Sequence, residues 1–316
     1  MARAGLNPLQ DVKTLAALWW VLRKSSPDVI FCYTTKPVIY GLMATRLAGT
    51  EQRHALITGL GYIFSGDDVD KRLSLIRRIA TSIYRIALQG GGRVFVYNEA
   101  DAEDIRAGRM VDDPGRIVRV PGSGADMSRF MSRDVPAGVP VFLIVAPLLR
   151  EKGFGEFAET AKALRAMGAQ ARFQILGPRD PGPLAISQRE VDRWAVEAGI
   201  DYLGQTSDVR PYLVACTVLV LSSFYREGIP RSILEAMATC RAIITTGMPG
   251  CRDTVVDGEN GFIVPPREPE AFAAAMKQFM DNPSLAQRIG RRSVEIAHER
   301  FDAHAVNRLL LTEMNL

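Results

Sequence analysis

The chain has 316 residues, enough for two domains of ordinary size, and 47% of them are hydrophobic, so a folded core is available. No apolar run reaches the length of a membrane-spanning helix. The net charge of +4 is small, and no basic groove interleaved with aromatic residues is present, so nucleic acid is not an expected partner.

Two series of alternating strands and helices follow one another, which predicts an α/β protein with parallel sheets. In the first series a helix at 9–24 leads to a strand at 29–33, and a helix at 38–48 to a strand at 54–58. A long helix at 73–88 precedes a strand at 94–97, and a short helix at 102–106 precedes a strand at 117–120. The segment Val135-Pro136-Ala137-Gly138 reads as a linker. The second series has strands at 141–146, 172–176, 202–203, 218–221 and 242–245. Helices are expected at 155–167, 189–198, 209–214, 231–239, 269–280 and 285–299, with a helical tail at 303–314. This divides the chain into residues 1–137, 138–300 and 301–316.

Charge is uneven along this plan. Residues 1–137 hold 19 Lys and Arg against 14 Asp and Glu. Lys71, Arg72, Arg77, Arg78, Arg85 and Arg93 lie in or near the apolar helix at 73–88. That helix either rests on an anionic membrane surface or presents an ordinary solvated face. Cys32, Cys216, Cys240 and Cys251 show no paired spacing, so disulfides and zinc are not expected and a reducing, cytoplasmic setting is. The acids Asp67, Asp68 and Asp70 fit helix capping better than a metal site.

The most informative stretch runs Ser223-Phe224-Tyr225-Arg226-Glu227-Gly228-Ile229-Pro230-Arg231-Ser232-Ile233-Leu234-Glu235. A buried strand precedes it, and a helix with Pro in its first turn follows. A helix start offers amides that no helical bond uses and a dipole that favours anions, which suits a diphosphate. Two carboxylates beside it can accept hydrogen bonds from sugar hydroxyls. Glu pairs at this spacing also occur on ordinary amphipathic helices, so the neighbouring residues carry the argument. Lys152, in Pro147-Leu148-Leu149-Arg150-Glu151-Lys152-Gly153, follows the first strand of the second series and supplies a cation for phosphate; Arg150 is a weaker candidate. Gly177, Gly204 and Gln205 fall at predicted carboxyl ends of strands. They either border a nucleobase pocket or are ordinary loop residues.

This stretch, continued through Thr245-Thr246-Gly247-Met248-Pro249-Gly250, resembles the Glu-x7-Glu motif of retaining GT-B glycosyltransferases of family 4. The resemblance extends with falling specificity over nearly the whole chain. It implies two Rossmann-like domains, an acceptor side in residues 1–137 and a nucleotide-sugar side in 138–300, with the tail returning to the first. It implies that Glu227 contacts donor-sugar hydroxyls, that Glu235 contacts the ribose diol, and that Lys152, Gly228 and Ile229 serve the donor diphosphate. The family usually has Arg at the place of Pro147. Thr58-Gly59-Leu60-Gly61 is similar to the Gly-Leu-Gly of enzymes that extend sugars on undecaprenyl diphosphate, which places Gly59 and Gly61 on the acceptor side. The function implied is transfer of a hexose or N-acetylhexosamine from a UDP-sugar to a polyprenyl-diphosphate-linked acceptor at the inner face of the membrane, without a metal cofactor. A GT-B amino domain normally opens with a strand and a glycine-rich turn, whereas Met1–Leu9 enters a helix directly. On this comparison about two βαβ steps are missing from the first domain. Two alternatives stand beside transfer: a non-catalytic remnant that only binds nucleotide-sugar, and a GT-B nucleotide-sugar epimerase.

Overall fold

A computed structural model describes residues 8–61, 64 and 71–316 of the chain. The acids Asp67, Asp68 and Asp70 lie outside these. The chain divides into two compact units. Unit 1 holds the residues through Gly122 together with Arg226–Ile229 and Val306–Leu316; unit 2 holds Ser123–Tyr225 and Pro230–Ala305.

Unit 1 contains helix α1 (Pro8–Ser25), strand β1 (Val29–Tyr33), helix α2 (Leu42–Ala48), strand β2 (Gln52–Ile57), helix α3 (Lys71–Leu88), strand β3 (Val94–Val96), helix α4 (Glu99–Ala107) and strand β4 (Ile117–Arg119). The strands form a parallel sheet in the order β1-β2-β3-β4. Phe31 pairs with His54, Leu56 with Phe95, and Phe95 with Val118. The core gathers Ile57, Leu60, Tyr84, Leu88, Val94, Val96 and Ile105 beneath the helices. The helix expected over 38–48 opens instead with a π turn at Pro37–Gly41 before α2 begins. Such a turn accommodates an extra residue against the sheet. Asn98 caps α4, its side chain accepting from the Asp101 amide, so α4 starts before the predicted Ala102.

Unit 2 contains β5 (Val141–Val145), α5 (Phe154–Ala166), β6 (Arg172–Leu176), α6 (Gln188–Ala198), β7 (Ile200–Tyr202), α7 (Arg210–Ala215), β8 (Val218–Leu221), α8 (Arg231–Ala238), β9 (Ala242–Thr246), β10 (Gly261–Val264), α9 (Pro269–Asp281) and α10 (Pro283–Arg300). Helix α11 (Ala303–Glu313) starts in this unit and is counted with unit 1 from Val306 onward. The six strands are parallel, in the order β10-β9-β8-β5-β6-β7. Read from β7, this is the doubly wound 3-2-1-4-5-6 order, with its switch point between β5 and β8. Both faces are covered, so the strands read as apolar runs rather than alternations. Phe142 stacks on Phe173, with ring centroids 5.7 Å apart, and Phe157 meets Phe173 edge-on.

No strand is predicted at 261–264, yet β10 pairs there with β9. The strand is four residues long and opens with glycine, which gives little periodic signal. The units divide after Gly122 rather than at the Pro-containing linker. Backbone and side-chain hydrogen bonds hold the intervening stretch to unit 2. Ala125 exchanges backbone hydrogen bonds with Phe301 and Ala303, at 2.8 and 3.0 Å. The fully buried Arg241 donates through Nη2 to the carbonyls of Arg133 and Asp134, each at 3.1 Å.

Candidate active site

In unit 2 the switch point brings the carboxyl ends of β5 and β8 side by side. Beyond β5 the chain makes a tight turn at Arg150–Lys152 and enters α5 at Gly153. Beyond β8 it runs through Ser222, Ser223, Phe224 and Tyr225. These two loops are stitched together. The Phe224 amide donates to the Glu151 carbonyl at 3.0 Å, and Ser222 Oγ donates to the Gly153 carbonyl at 2.7 Å. A Cβ on Gly153 would lie 2.0 Å from the Ser222 carbonyl oxygen, so no other residue fits there. From β9, Thr246 Oγ1 donates to the Ser223 carbonyl at 2.6 Å.

This stitching places the Lys152 ammonium over the Tyr225 ring, 5.6 Å from its centroid. The cation is half-buried on an aromatic face at the switch point, where open α/β sheets take their ligands. Glu235 is the fifth residue of α8 and is buried. Burial pushes its carboxyl above the usual range, against the opposing pull of Arg231 and Arg129. Arg231 Nε donates to Glu235 Oε1 at 2.8 Å from an exposed position. Pro230 stands at the N-cap of α8 rather than inside its first turn. The amides of Ile233 and Leu234 both reach the Pro230 carbonyl, at 3.1 and 3.4 Å. The amides of Arg231 and Ser232 are therefore the helix-start donors outside the intrahelical ladder.

Two other predicted residues meet at the ends of β6 and β7. The Gly177 amide donates to the Gly204 carbonyl at 2.8 Å, and Tyr202 donates its hydroxyl hydrogen to the Gly177 carbonyl at 3.0 Å. A Cβ on Gly177 would lie 1.8 Å from the Ala146 carbonyl oxygen, which makes glycine obligatory beside β5. Gln205 is exposed next to this pair. Arg150 is turned elsewhere. Its guanidinium forms a two-pronged pair with Glu190, at 2.7 and 3.0 Å. Glu190 also closes the capping box at the start of α6 with Ser187. The Ser187 hydrogen bonds, with Arg150 behind them, pull the Glu190 carboxyl down to about 2.

The division of the chain falls inside the acidic motif, because Arg226–Ile229 belongs to unit 1. There Glu227 is half-buried, while Gly228 and Ile229 are buried. A Cβ on Gly228 would lie 2.2 Å from the Thr58 carbonyl oxygen, and one on Gly59 would lie 3.0 Å from the Gly228 amide. Gly59 and Gly61 have φ of 126° and 76°, so the turn after β2 requires both glycines. Two glycine motifs read separately in the sequence thus touch backbone to backbone. Sequence reasoning missed what lies beneath them, a buried polar cluster of Asn98, Asp101 and Arg226. Its legible signal was Asn98-x-x-Asp101 at a helix start, an N-cap pattern.

Residues 139–282 match the sequence profile of the family described as Glycosyl transferases group 1. The chain is 26% identical over 309 residues to the N,N'-diacetylbacillosaminyl-diphospho-undecaprenol alpha-1,3-N-acetylgalactosaminyltransferase of Campylobacter jejuni, covering 94% of this chain and 79% of that one. It is 25% identical over 293 residues to the UDP-Gal:alpha-D-GlcNAc-diphosphoundecaprenol alpha-1,3-galactosyltransferase of Escherichia coli, covering 89% and 73%. Among solved structures, HepE of Anabaena in complex with UDP-glucose superimposes with a TM-score of 0.79 at 17% identity, over 98% of this chain and 84% of that one. The architecture these matches define is that of a GT-B glycosyltransferase. The relatives that match most of this chain are named glycosyltransferases, and its residues 139–282 carry the glycosyl transferases group 1 profile.

Proposed function

We propose that the chain is a retaining glycosyltransferase that moves a hexose or N-acetylhexosamine from a UDP-sugar to a polyprenyl-diphosphate-linked acceptor in the assembly of a cell-surface polysaccharide or glycan. The observation that carries the donor reading is the Lys152 ammonium held over Tyr225 at the switch point of the unit 2 sheet. The names of the Campylobacter jejuni and Escherichia coli relatives support the acceptor class. The second of these names and the UDP-glucose bound to HepE support the donor class.

In this reading the acceptor hydroxyl attacks the anomeric carbon on the face from which the nucleotide departs. The new carbon–oxygen bond forms as the bond to the β-phosphate breaks, and the hydroxyl proton passes to the departing phosphate oxygen. Lys152 neutralises charge that grows on the diphosphate, an effect worth most when the cation is already in place. Glu235 accepts from the ribose diol and Glu227 from the sugar hydroxyls. Gly177, Gly204 and Gln205 border the nucleobase. No metal is assigned a step, and turnover is expected to persist in a chelator. The test is incubation with a UDP-sugar and a polyprenyl-diphosphate-linked saccharide. UDP release with a product of retained anomeric configuration supports the proposal, and an inverted product contradicts it.

Among the described residues no helix is long and apolar enough to cross a membrane. We infer instead that α3 rests on an anionic bilayer. Leu75, Ile76, Ile79, Ile83 and Ile86 are exposed along it, Leu75 at 58% and Ile79 at 52%. Arg78 and Arg85 are exposed beside them. Apolar side chains flanked by guanidinium groups match acyl chains beneath anionic headgroups. Sedimentation with phosphatidylglycerol vesicles, lost on Ile79→Glu, is the expected result. Unchanged sedimentation of that variant, or self-association in place of vesicle binding, contradicts it.

A further inference from the structure

The buried cluster under Gly228 has no role in the reading above. Arg226 precedes Glu227 and points away from solvent, its side chain only 11% exposed. Nη2 donates to Asp101 Oδ1 at 3.1 Å, and Nη1 donates to the Phe64 carbonyl at 2.7 Å. Nη1 also lies 2.6 Å from Asp104 Oδ2, close but off the hydrogen-bonding direction, and Nε has no hydrogen-bond partner among the described residues. Asp101 is fully buried. Its Oδ2 accepts from Asn98 Nδ2 at 2.9 Å, and its Oδ1 also receives the Leu60 amide at 3.4 Å. Asn98 Nδ2 reaches two backbone carbonyls of the acidic motif, Glu227 at 3.2 Å and Gly228 at 3.5 Å.

Apart from the Asn98–Asp101 bond within the α4 start, these bonds end on Leu60, on Phe64 or on the stretch from Arg226 to Gly228. Asp101 is the hub that holds both Leu60 and Arg226. A carboxylate and a guanidinium are costly to bury, and α4 could reach the same core with an apolar residue in place of Asp101. Their pairing fixes geometry more than it adds stability. The Glu227 backbone is held from two directions: by its neighbour's side chain on Asp101 and by its own carbonyl on Asn98. Its carboxylate therefore extends from an anchored peptide.

We propose that Arg226, Asp101 and Asn98 are positioning residues that fix the peptide of Glu227 and Gly228, so that Glu227 is presented to the donor sugar in one orientation. The inference rests on the assignment of Glu227 to the donor sugar, and it predicts a division of labour. Nucleotide affinity rests mainly on Lys152 and Glu235 of unit 2 and depends little on the clamp. The extra affinity that the sugar adds, and the turnover that follows, depend on it.

The test uses the full chain and four variants: Arg226→Met, Asp101→Asn, the pair combined, and Arg226→Lys. Each single change to a neutral residue leaves a buried charge short of a partner and should lower the melting temperature. The double variant removes both buried charges, leaving the partly exposed Asp104 without Arg226, and should recover part of it. UDP affinity should stay within about threefold of wild type in all four. UDP-sugar affinity, measured with UDP-N-acetylglucosamine, UDP-N-acetylgalactosamine, UDP-glucose and UDP-galactose, should fall toward that of UDP in the double variant. Its kcat should drop about tenfold or more, with Arg226→Lys in between. Hydrogen exchange in peptides covering 226–229 should quicken in the recovered double variant. A double variant with wild-type UDP-sugar affinity and kcat overturns the proposal, as does one with unchanged exchange at 226–229. Failure of the wild-type chain to bind any of these UDP-sugars would instead overturn the donor reading, while the exchange result still judges the clamp.

Discussion

The two units use ionic groups in opposite ways. In unit 2 the Arg150–Glu190 pair sits near the surface and closes a helix cap, and the candidate ligand groups are Lys152, in the turn after β5, and Glu235, buried midway along α8. In unit 1 the principal ionic cluster, around Arg226 and Asp101, is buried under two glycine turns. Exposed pairs exchange one set of hydrated partners for another and contribute little. Buried ones are costly to break. The contrast is one of partners: unit 1 buries Arg226 against the carboxylate of Asp101, whereas in unit 2 the buried Arg241 donates to the backbone carbonyls of Arg133 and Asp134 and the Arg150–Glu190 pair stays near the surface.

The strongest test of this contrast removes one charge from each cluster. Asp101→Ala leaves Arg226 buried with only the partly exposed Asp104 beside it and should destabilise the chain by about 3 kcal/mol in denaturant unfolding. Glu190→Gln should cost no more than about 1 kcal/mol. Equal costs would remove the distinction between the units.

The fold was legible in the sequence where short apolar stretches stand between turn residues. Val218–Leu221 is an uninterrupted apolar run, Val29–Tyr33 and Arg172–Leu176 are largely apolar, and the structure places strands over those same residues. Strand β10 escaped because its pairing comes from β9, far away in local pattern. Lys152 and Tyr225 were legible as neighbours of motifs but not as neighbours of each other, because their contact depends on strand order. Arg150 read as a weaker candidate for phosphate from its position after β5. The structure gives its guanidinium to Glu190, a capping residue that no local pattern ties to it. The Arg226 cluster was illegible for a related reason: its members are 125 positions apart, and each alone resembles a surface charge.

A second comparison separates the two acidic residues of the motif. Glu235→Ala should weaken UDP and UDP-sugar alike, by about 1–3 kcal/mol for a lost charged hydrogen bond. Glu227→Ala should weaken UDP-sugar and spare UDP. Calorimetry with both ligands checks this, and identical behaviour of the two variants would contradict their separate roles. Because burial raises the Glu235 carboxyl, acidification should protonate it before an exposed glutamate. UDP affinity should then fall at a higher pH than an ordinary carboxylate would produce. In Glu235→Gln that pH dependence should flatten.

The smallest effect belongs to Glu190. Its carboxyl is held down at about 2, against 4.5 for a free glutamate. The stability it contributes is therefore fully present above about pH 4.5 and is lost as pH falls toward 2. The difference in melting temperature between wild type and Glu190→Gln should accordingly be small at pH 7 and vanish near pH 2. A difference that grows on acidification would have the wrong sign.

The central claim, that unit 2 holds a nucleoside diphosphate at the switch point through Lys152, is tested most directly by calorimetric titration of the full chain with UDP at neutral pH and low salt. Saturable binding tighter than millimolar, about −4 kcal/mol or better, weakened about tenfold or more by Lys152→Ala, is the predicted result. No binding at millimolar UDP, or binding that Lys152→Ala leaves unchanged, would contradict it.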